Sequence, residues 1–370
     1  MSISTTADAV IVGGGLVGVA IAYGLVQRGL DVVILDEGDV AFRASRGNFG
    51  LVWVQSKGVG MPAYAQWTRR SSDLWPEFAE TVREDTGIDL QFSRNGGYQF
   101  CLSEKEFQDR VRMMDTLVEA SGGTFTYEMM RRGELADRLP ELGPDVVGAS
   151  FSPHDGHVNS LRLFRAMHVG FQKHGGTYTP NSRVTDITRD GDGFRIATEK
   201  GDIYRSARVV LAAGNATREL APMVGLEAPV SPQKGQILVT AKTSPFLDCP
   251  TAQLRQTGEG SVLIGDSKEE SGFEDMTSPE TIKMLADRAV ATFPALQKVR
   301  VVRSWAALRV MTPDGFPVYG QSETHPGAFV ACLHSGVTLA AAHVGPMADA
   351  IAGGGLPPSF ESFSADRFNV

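Results

Sequence analysis

Cysteine is scarce in this sequence, and its scarcity excludes two kinds of site. Only Cys101, Cys249 and Cys332 occur among the 370 residues, and they are far apart. An odd number of widely separated cysteines forms neither a disulfide framework nor a paired zinc site. The seven histidines also lack metal-ligand spacing, with His154 and His157 flanking a turn. We therefore expect no metal and a reducing, cytoplasmic location.

Basic runs and long apolar runs are missing as well. The formal net charge is -8, which disfavours nucleic acid or an anionic membrane surface because both reward clustered lysine and arginine. No stretch approaches the roughly 20 apolar residues that a membrane span needs. The N-terminal apolar stretch is interrupted by four glycines and lacks a basic leader, so it predicts a buried strand and helix rather than a signal peptide.

Glycine is abundant, and one glycine cluster has the spacing of a nucleotide-binding turn. Residues 7–12 predict a strand, residues 16–28 a helix and residues 31–35 a second strand, which is the length of a βαβ unit. Between the first strand and the helix, residues 13–18 read GGGLVG and fit G-x-G-x-x-G. On its own this pattern also fits a simple glycine turn, but its place in a βαβ unit favours a dinucleotide site.

Each glycine of this pattern has a physical role in binding a dinucleotide. Gly13 permits the tight turn, Gly15 lets the backbone approach a pyrophosphate, and Gly18 lets helix and strand pack closely. The helix N-terminus supplies N–H donors to the phosphates. Asp36 ends the second strand, where its carboxylate can accept both ribose hydroxyls and disfavours a 2′-phosphate. The pattern alone fits FAD and NAD equally.

Three further segments favour FAD. Residues 45–50 (SRGNFG) are small and polar and suit the wrapping of a long cofactor. Residues 209–214 form an apolar strand ending in Ala213 and Gly214, as expected beneath the same nucleotide. Residues 334–338 (HSGVT) predict the start of a C-terminal helix whose N–H groups face the negative charge of a reduced flavin. The expected cofactor contacts are Gly13, Gly15, Leu16, Val17, Gly18, Asp36, Glu37, Ser45, Arg46, Asn48, Gly50, Val184, Ala213, Gly214, Gly336, Val337 and Thr338.

Together these segments resemble the D-amino-acid oxidase superfamily of FAD enzymes, in particular its glycine oxidase and sarcosine oxidase branch. The resemblance covers nearly the whole chain. It extends through residues 232–236 (PQKGQ), the stretch from Arg309 to Gly320, and residues 366–368 (DRF). Residues 45–54 and 95–104 are similar to the FAD subunits of opine oxidases and D-hydroxyproline dehydrogenases.

The resemblance implies roles for particular side chains. Arg309 stands where the family holds the substrate carboxylate, and a guanidinium fork suits that task; a structural arginine is the alternative. Ala307 stands where sarcosine oxidases attach FAD to cysteine, which implies non-covalent FAD. Leu263 stands where those oxidases place a lysine that promotes reaction with oxygen, although Lys268 is near. An electron acceptor other than oxygen is therefore plausible.

Three other residues are candidates for the active site. His334 lies beside the helix start that is expected to meet the flavin. Tyr98 and Gln236 can point into a pocket from neighbouring strands, but core or surface positions explain them equally well.

The fold implied is an α/β architecture in which a Rossmann-like FAD-binding domain is interleaved with a substrate domain built on a mixed or antiparallel sheet. Residues 1–90, 150–225 and 315–370 are assigned to the FAD domain. Residues 91–149 and 226–314 are assigned to the substrate domain.

The function implied is oxidation of the C–N bond of an amino acid or N-substituted amino acid, such as an opine, a D-amino acid, D-hydroxyproline or a sarcosine-like compound. Hydride transfer to flavin N5 is expected to give an imine that hydrolyses to a 2-oxo acid and an amine, and a dedicated base need not exist. Three alternatives remain: an oxygen-using glycine or D-amino-acid oxidase, an electron-relay subunit that binds FAD within a larger complex, and a nicotinamide-dependent dehydrogenase. Other subunits are possible partners.

Overall fold

The computed structural model of the chain describes residues 4–38 and 44–369. Its strands are β1 (Ser4–Val12), β2 (Val32–Leu35), β3 (Leu51–Val52), β4 (Gly97–Cys101), β5 (Glu128–Arg131), β6 (Gly148–Ser152), β7 (Gly156–His157), β8 (Thr177–Thr179), β9 (Val184–Asp190), β10 (Gly193–Thr198), β11 (Ile203–Leu211), β12 (Ser231–Thr240), β13 (Leu254–Gln256), β14 (Val262–Ile264), β15 (Val301–Met311), β16 (Val318–Gln321) and β17 (Ala328–Cys332). Its α-helices are α1 (Leu16–Gln27), α2 (Pro62–Thr86), α3 (Glu104–Ala120), α4 (Arg132–Arg138), α5 (Ser160–Lys173), α6 (Thr217–Leu220), α7 (Pro279–Thr292), α8 (Ala340–Ala342) and α9 (Ala348–Ala352).

The main sheet has the strand order β16-β17-β11-β1-β2-β8. Pairing is parallel from β17 through β8, β16 joins antiparallel, and β9 and β10 extend β11 as an antiparallel meander. Side chains alternate along β1, so that Ala9 and Ile11 face the core beneath α1, α2 and α5, whereas Val10 and Val12 face the core beneath the meander. A sheet buried on both faces explains why residues 9–12 of β1 and all of β2 are continuous apolar runs.

Two antiparallel sheets form the second part of the molecule. One has the order β13-β14-β12-β15 and the other β4-β6-β5. They share one apolar core with α7, to which Phe100, Leu238, Val262 and Phe293 contribute. The mixed α/β fold is confirmed. The domain division remains a proposal; the sheets agree with it except at β6, whose residues 150–152 pair with β4 and β5 although the division assigns them to the FAD domain. Residues 1–3, 39–43 and 370 of the FAD domain lie outside the described part.

The C-terminal helix differs from its prediction. Residues 336–339 form a turn, and α8 begins only at Ala340. The helix then widens into a π-type segment at His343–Met347, where Gly345 has non-helical angles (φ -87°, ψ -105°), before α9 continues. Pro346 explains the break, because proline lacks an N–H and its ring clashes with the carbonyl four residues earlier.

Candidate active site

The glycine turn after β1 is packed so closely that side chains do not fit. Gly13 has φ +106°, and a Cβ there would lie 2.5 Å from the carbonyl oxygen of Ala212. A Cβ on Gly18 would lie 1.9 Å from the carbonyl oxygen of Gly13, and one on Gly15 would lie 3.1 Å from Ser45 Oγ. The turn therefore keeps its backbone open towards the space in front of α1, as a pyrophosphate requires.

Asp36 is held at the end of β2 by two backbone donors. Its carboxylate accepts hydrogen bonds from the Gly14 N–H at 2.7 Å and from the Gly38 N–H at 2.9 Å. Asp36 also lines a cavity of about 440 Å³, which we call the smaller cavity. A carboxylate fixed in this way is oriented for a ribose before any ligand binds.

Most of the predicted cofactor contacts line the smaller cavity. These are Gly13, Gly15, Leu16, Val17, Asp36, Glu37, Ser45, Asn48, Val184, Ala213, Gly214 and Gly336. Ser45 closes one side because its Oγ accepts the Leu16 N–H at 2.8 Å. The smaller cavity therefore brings together segments from both ends of the sequence.

The remaining predicted contacts have other positions. Gly18 and Gly50 serve backbone packing: a Cβ on Gly50 (φ +90°) would lie 2.3 Å from the Val158 carbonyl oxygen. Arg46 lines neither of the two cavities described here, whereas Val337 and Thr338 line the second one.

That second, larger cavity has a volume of about 810 Å³. It shares Ala44, Asn48 and His334 with the smaller cavity, so the two adjoin along one wall. The larger cavity is bounded by β12 and β15 on one side and by the loop from Trp53 to Gly58 on another. A ligand there would lie next to whatever occupies the smaller cavity.

Arg309, on β15, contributes its guanidinium to the larger cavity. Nη1 donates to the carbonyl oxygen of Ser267 at 2.8 Å and more weakly to that of Lys234 at 3.4 Å. Gly235 provides the space, since a Cβ there would lie 2.5 Å from Nη1. Burial lowers the pKa of Arg309, and the charges of Asp266 and Glu269 oppose that shift. Among the described residues no carboxylate lies within 4 Å of this guanidinium.

A lysine that the sequence did not single out lies in the same wall. Lys57 Nζ lies 2.9 Å from His334 Nε2 and donates to Ser335 Oγ at 2.9 Å. Tyr64 also donates its hydroxyl to Ser335 Oγ, at 2.8 Å. Burial lowers the pKa of Lys57 from 10.5 to about 8, with the charges of Lys268 and Arg309 adding to the effect. Burial likewise lowers the pKa of His334 well below its usual range, so this histidine is neutral.

Sequence reasoning missed Lys57 because a single lysine in a Ser-Lys-Gly stretch is typical of a surface loop. Its only sequence signal is its place shortly after the SRGNFGLVWV segment, which carries the family resemblance but no obvious chemistry.

Tyr98 and Gln236 do not reach either cavity, and their proposed catalytic roles are corrected. Tyr98 stacks on Phe100 at 5.6 Å and packs against Phe151 at 4.8 Å in the core of the second part. Gln236 is fully buried and donates to Glu269 at 2.9 Å. The cause is strand alternation. Gln233, Gly235 and Ile237 on β12 line the larger cavity, so the side chain of Gln236 lies on the opposite face of the strand.

Two positions that the resemblance singles out bear on the flavin chemistry. Leu263 is buried in β14 and lines neither cavity, whereas Lys268 lines the larger one. Ala307 lines the larger cavity and offers no sulfur for attachment.

Within residues 4–38 and 44–369, no group of three histidine, cysteine, aspartate or glutamate side chains comes together in a way that could hold a metal ion. Within the same residues, no helix is both long enough and apolar enough to cross a membrane.

The parallel sheet, the glycine turn, the fixed Asp36 carboxylate and the adjoining cavities together define a dinucleotide-binding oxidoreductase. The family model described as "FAD dependent oxidoreductase" (DAO) matches residues 8–349, and the chain belongs to this family. The cofactor is therefore FAD, and the alternative of a nicotinamide-dependent dehydrogenase is rejected. The residues fit this cofactor, since Gly13 and Gly15 line the smaller cavity without side chains and the Asp36 carboxylate lines it too.

Similar proteins include a subunit of the opine oxidase of Agrobacterium tumefaciens (strain Ach5), which is 46% identical over 364 residues, 98% of each chain. Glycine oxidase of Geobacillus kaustophilus (strain HTA426) is 29% identical over 335 residues, 88% of this chain and 87% of the relative. Among solved structures, glycine oxidase from Bacillus cereus ATCC 14579 superposes with a TM-score of 0.87 at 25% identity, covering 97% of this chain and 98% of the other.

Proposed function

We propose that this enzyme oxidises the C–N bond of an amino acid or N-substituted amino acid, and that Arg309 binds the substrate carboxylate. The observation that carries the proposal is a guanidinium without a carboxylate partner among the described residues, in the wall of a cavity that adjoins the FAD cavity. Arg309 is half-buried and its hydrogen-bond partners among the described residues are carbonyl oxygens, so part of the cost of removing its charge from water stays uncompensated. A substrate carboxylate offsets that cost and is fixed in orientation by the fork.

FAD, when bound, supplies the two-electron redox chemistry. The chain's own residues then have the tasks of binding and orientation. Arg309 holds the carboxylate so that the Cα–H faces the smaller cavity, and the cavity walls limit rotation of the rest of the substrate. Loss of the Cα hydrogen with two electrons leaves an iminium ion, the protonated imine, which water converts to a 2-oxo acid and an amine.

The similarity to an opine oxidase subunit, 46% identical over 98% of each chain, supports a substrate bigger than glycine or sarcosine. We therefore favour an N-substituted amino acid of the opine class over the smallest amino acids.

That relative works as one subunit of its enzyme, which supports a second proposal, that partner subunits assemble with this chain. The resemblance puts Leu263 in place of the oxygen-promoting lysine, which supports an electron acceptor other than oxygen, whereas Lys268 in the wall of the larger cavity supports oxygen. An oxygen-using glycine or D-amino-acid oxidase remains the alternative, as does a subunit that relays electrons without oxidising a substrate.

The experiment is an anaerobic screen of the FAD-loaded chain with opines, D-amino acids, D-hydroxyproline, sarcosine and glycine. Bleaching of the flavin absorbance near 450 nm reports oxidation of each compound without any acceptor, and dye reduction reports turnover. We expect an opine to bleach the flavin fastest. Bleaching by dithionite but by none of these compounds would refute the proposed function and favour the electron-relay role.

A further inference from the structure

The loop from Trp53 to Gly58 is built to hold one amine at a defined point in the larger cavity. The Trp53 N–H donates to Thr338 Oγ1 at 3.1 Å, and the N–H groups of Val54 and Gln55 donate to Asp155 Oδ1 at 2.5 and 3.3 Å. The buried carboxylate of Asp155 thus anchors the loop from a distant point of the sequence.

The next residue of the loop adopts a rare backbone conformation. Ser56 has φ +81°, which costs a residue other than glycine of the order of 1 kcal/mol. Its hydroxyl accepts a hydrogen bond from Arg110 Nη1 at 2.6 Å. Arg110 also donates to Gln55 Oε1 and to Ser150 Oγ. This network maintains the conformation that turns the Lys57 side chain into the cavity.

The neighbours of the Lys57 amine leave it able to accept a proton. Lys57 Nζ has two hydrogen-bond partners, His334 Nε2 and Ser335 Oγ, and both are neutral. Among the described residues, no carboxylate lies within 4 Å of Nζ. The charged groups around it are Lys268 and Arg309, which disfavour its protonated form, and Asp266 and Asp155, which favour it. Since Arg309 lines the same cavity, a substrate bound by its carboxylate has its amine within this space.

Resting on the proposed function, we infer that Lys57 is the base that removes a proton from the substrate ammonium, so that the neutral amine can be oxidised. In this step the N–H bond of the ammonium breaks, its electron pair stays on the substrate nitrogen, and a new N–H bond forms at Lys57 Nζ. No electrons leave the substrate, and the proton later passes from Lys57 to water in the cavity. The step is required because an ammonium has no lone pair with which to form the imine bond.

The lowered pKa of Lys57, about 8, agrees with this role. An amine of this pKa is partly neutral at pH 7 and mostly neutral above pH 8, whereas an exposed lysine is almost fully protonated throughout. Activity that needs the neutral form should therefore rise with pH through about 8 and then level off.

The test uses the FAD-loaded chain and the limiting rate of anaerobic flavin reduction, measured from pH 6 to 10 with substrates whose amines differ in basicity. The inflection near pH 8 in the wild type belongs to Lys57 and stays in place when the substrate changes. Burial raises the pKa of Asp155 to about 7, so an inflection there is common to the wild type and the variants. In Lys57→Met, a neutral residue of similar length, we expect a fall of about 100-fold at pH 7, the lower end of the range for general base catalysis. The inflection that remains should follow the substrate's own amine.

Two further variants separate a base from a structural residue. Lys57→Arg keeps the positive charge but cannot accept a proton, so it should be as slow as Lys57→Met. Lys57→Ala should regain rate in proportion to added methylamine, which fills the space and accepts the proton. Lys283→Met, an exposed lysine on α7, is the matched control and should behave as the wild type. FAD content and the visible spectrum of each variant report whether the site is intact.

The outcomes separate this inference from the proposed function. If the wild type oxidises none of the amino-acid compounds, both fail. If the wild type oxidises one of them but Lys57→Met keeps the wild-type rate and inflection, or methylamine restores no rate to a Lys57→Ala protein with full FAD, only the role of Lys57 is overturned.

Discussion

Arg309→Lys is the substitution that tests the proposed site most directly. In the structure, Nη1 is bound to the Ser267 and Lys234 carbonyl oxygens, while the cavity side of the guanidinium is left for the substrate. Lysine retains the charge but offers a point contact in place of a fork. Losing one charge-assisted hydrogen bond costs about 1.5–3 kcal/mol, and the displaced Cα–H adds a loss of alignment.

We expect kcat/KM to fall by roughly two orders of magnitude, about 2.7 kcal/mol at the transition state. The assay is dye reduction under steady-state conditions together with FAD content measured by absorbance. FAD content should remain near that of the wild type, because Arg309 does not line the smaller cavity. Arg300→Lys, an exposed residue just before β15, is the control and should change neither quantity.

Two results would refute the reasoning. Wild-type kinetics in Arg309→Lys would show that the guanidinium does not hold the carboxylate. Loss of FAD together with activity would show that Arg309 supports the cofactor site or the fold.

Three further expectations follow from the cavities. Gly15→Val should abolish FAD binding, because the valine side chain would fill the part of the smaller cavity that the pyrophosphate needs. Gly133→Ala, where a Cβ meets nothing within 4 Å, should bind FAD normally, and absorbance of the purified proteins checks both. FAD should be released by acid or heat, because Ala307 offers no sulfur, and flavin that stays with the precipitated protein would contradict this. A quinone or dye should reoxidise the reduced enzyme much faster than air, as expected if Leu263 replaces the lysine that promotes reaction with oxygen; hydrogen peroxide formation that matches turnover with dye would show instead that oxygen is the acceptor.

Much of the cofactor site follows from local sequence patterns. The strand, glycine turn and helix at residues 7–28 are predicted because glycine spacing and apolar runs act over short distances, and the structure has them at β1 and α1.

The larger cavity could not be predicted in the same way. Lys57 becomes notable only when folding brings His334 and Ser335 to it from the far end of the sequence. The pocket position predicted for Gln236 is wrong because nothing local reveals which face of β12 lines the cavity, and a shift of one residue reverses that face. The helix start predicted before α8 is too early because the turn at residues 336–339 has the same apolar and small residues as a helix.

The strand order of the main sheet has a consequence for the order of events during synthesis. The glycine turn follows β1, near the beginning of the sequence. In the sheet, β1 lies between β2 and β11, and β11 pairs with β17 at residues 328–332. Pairing between such distant segments is slow because loop closure precedes the contacts that stabilise it. Nearly the whole polypeptide must therefore leave the ribosome before the residues that line the smaller cavity can come together. FAD is expected to enter after translation, and truncated chains that end before β17 should remain colourless.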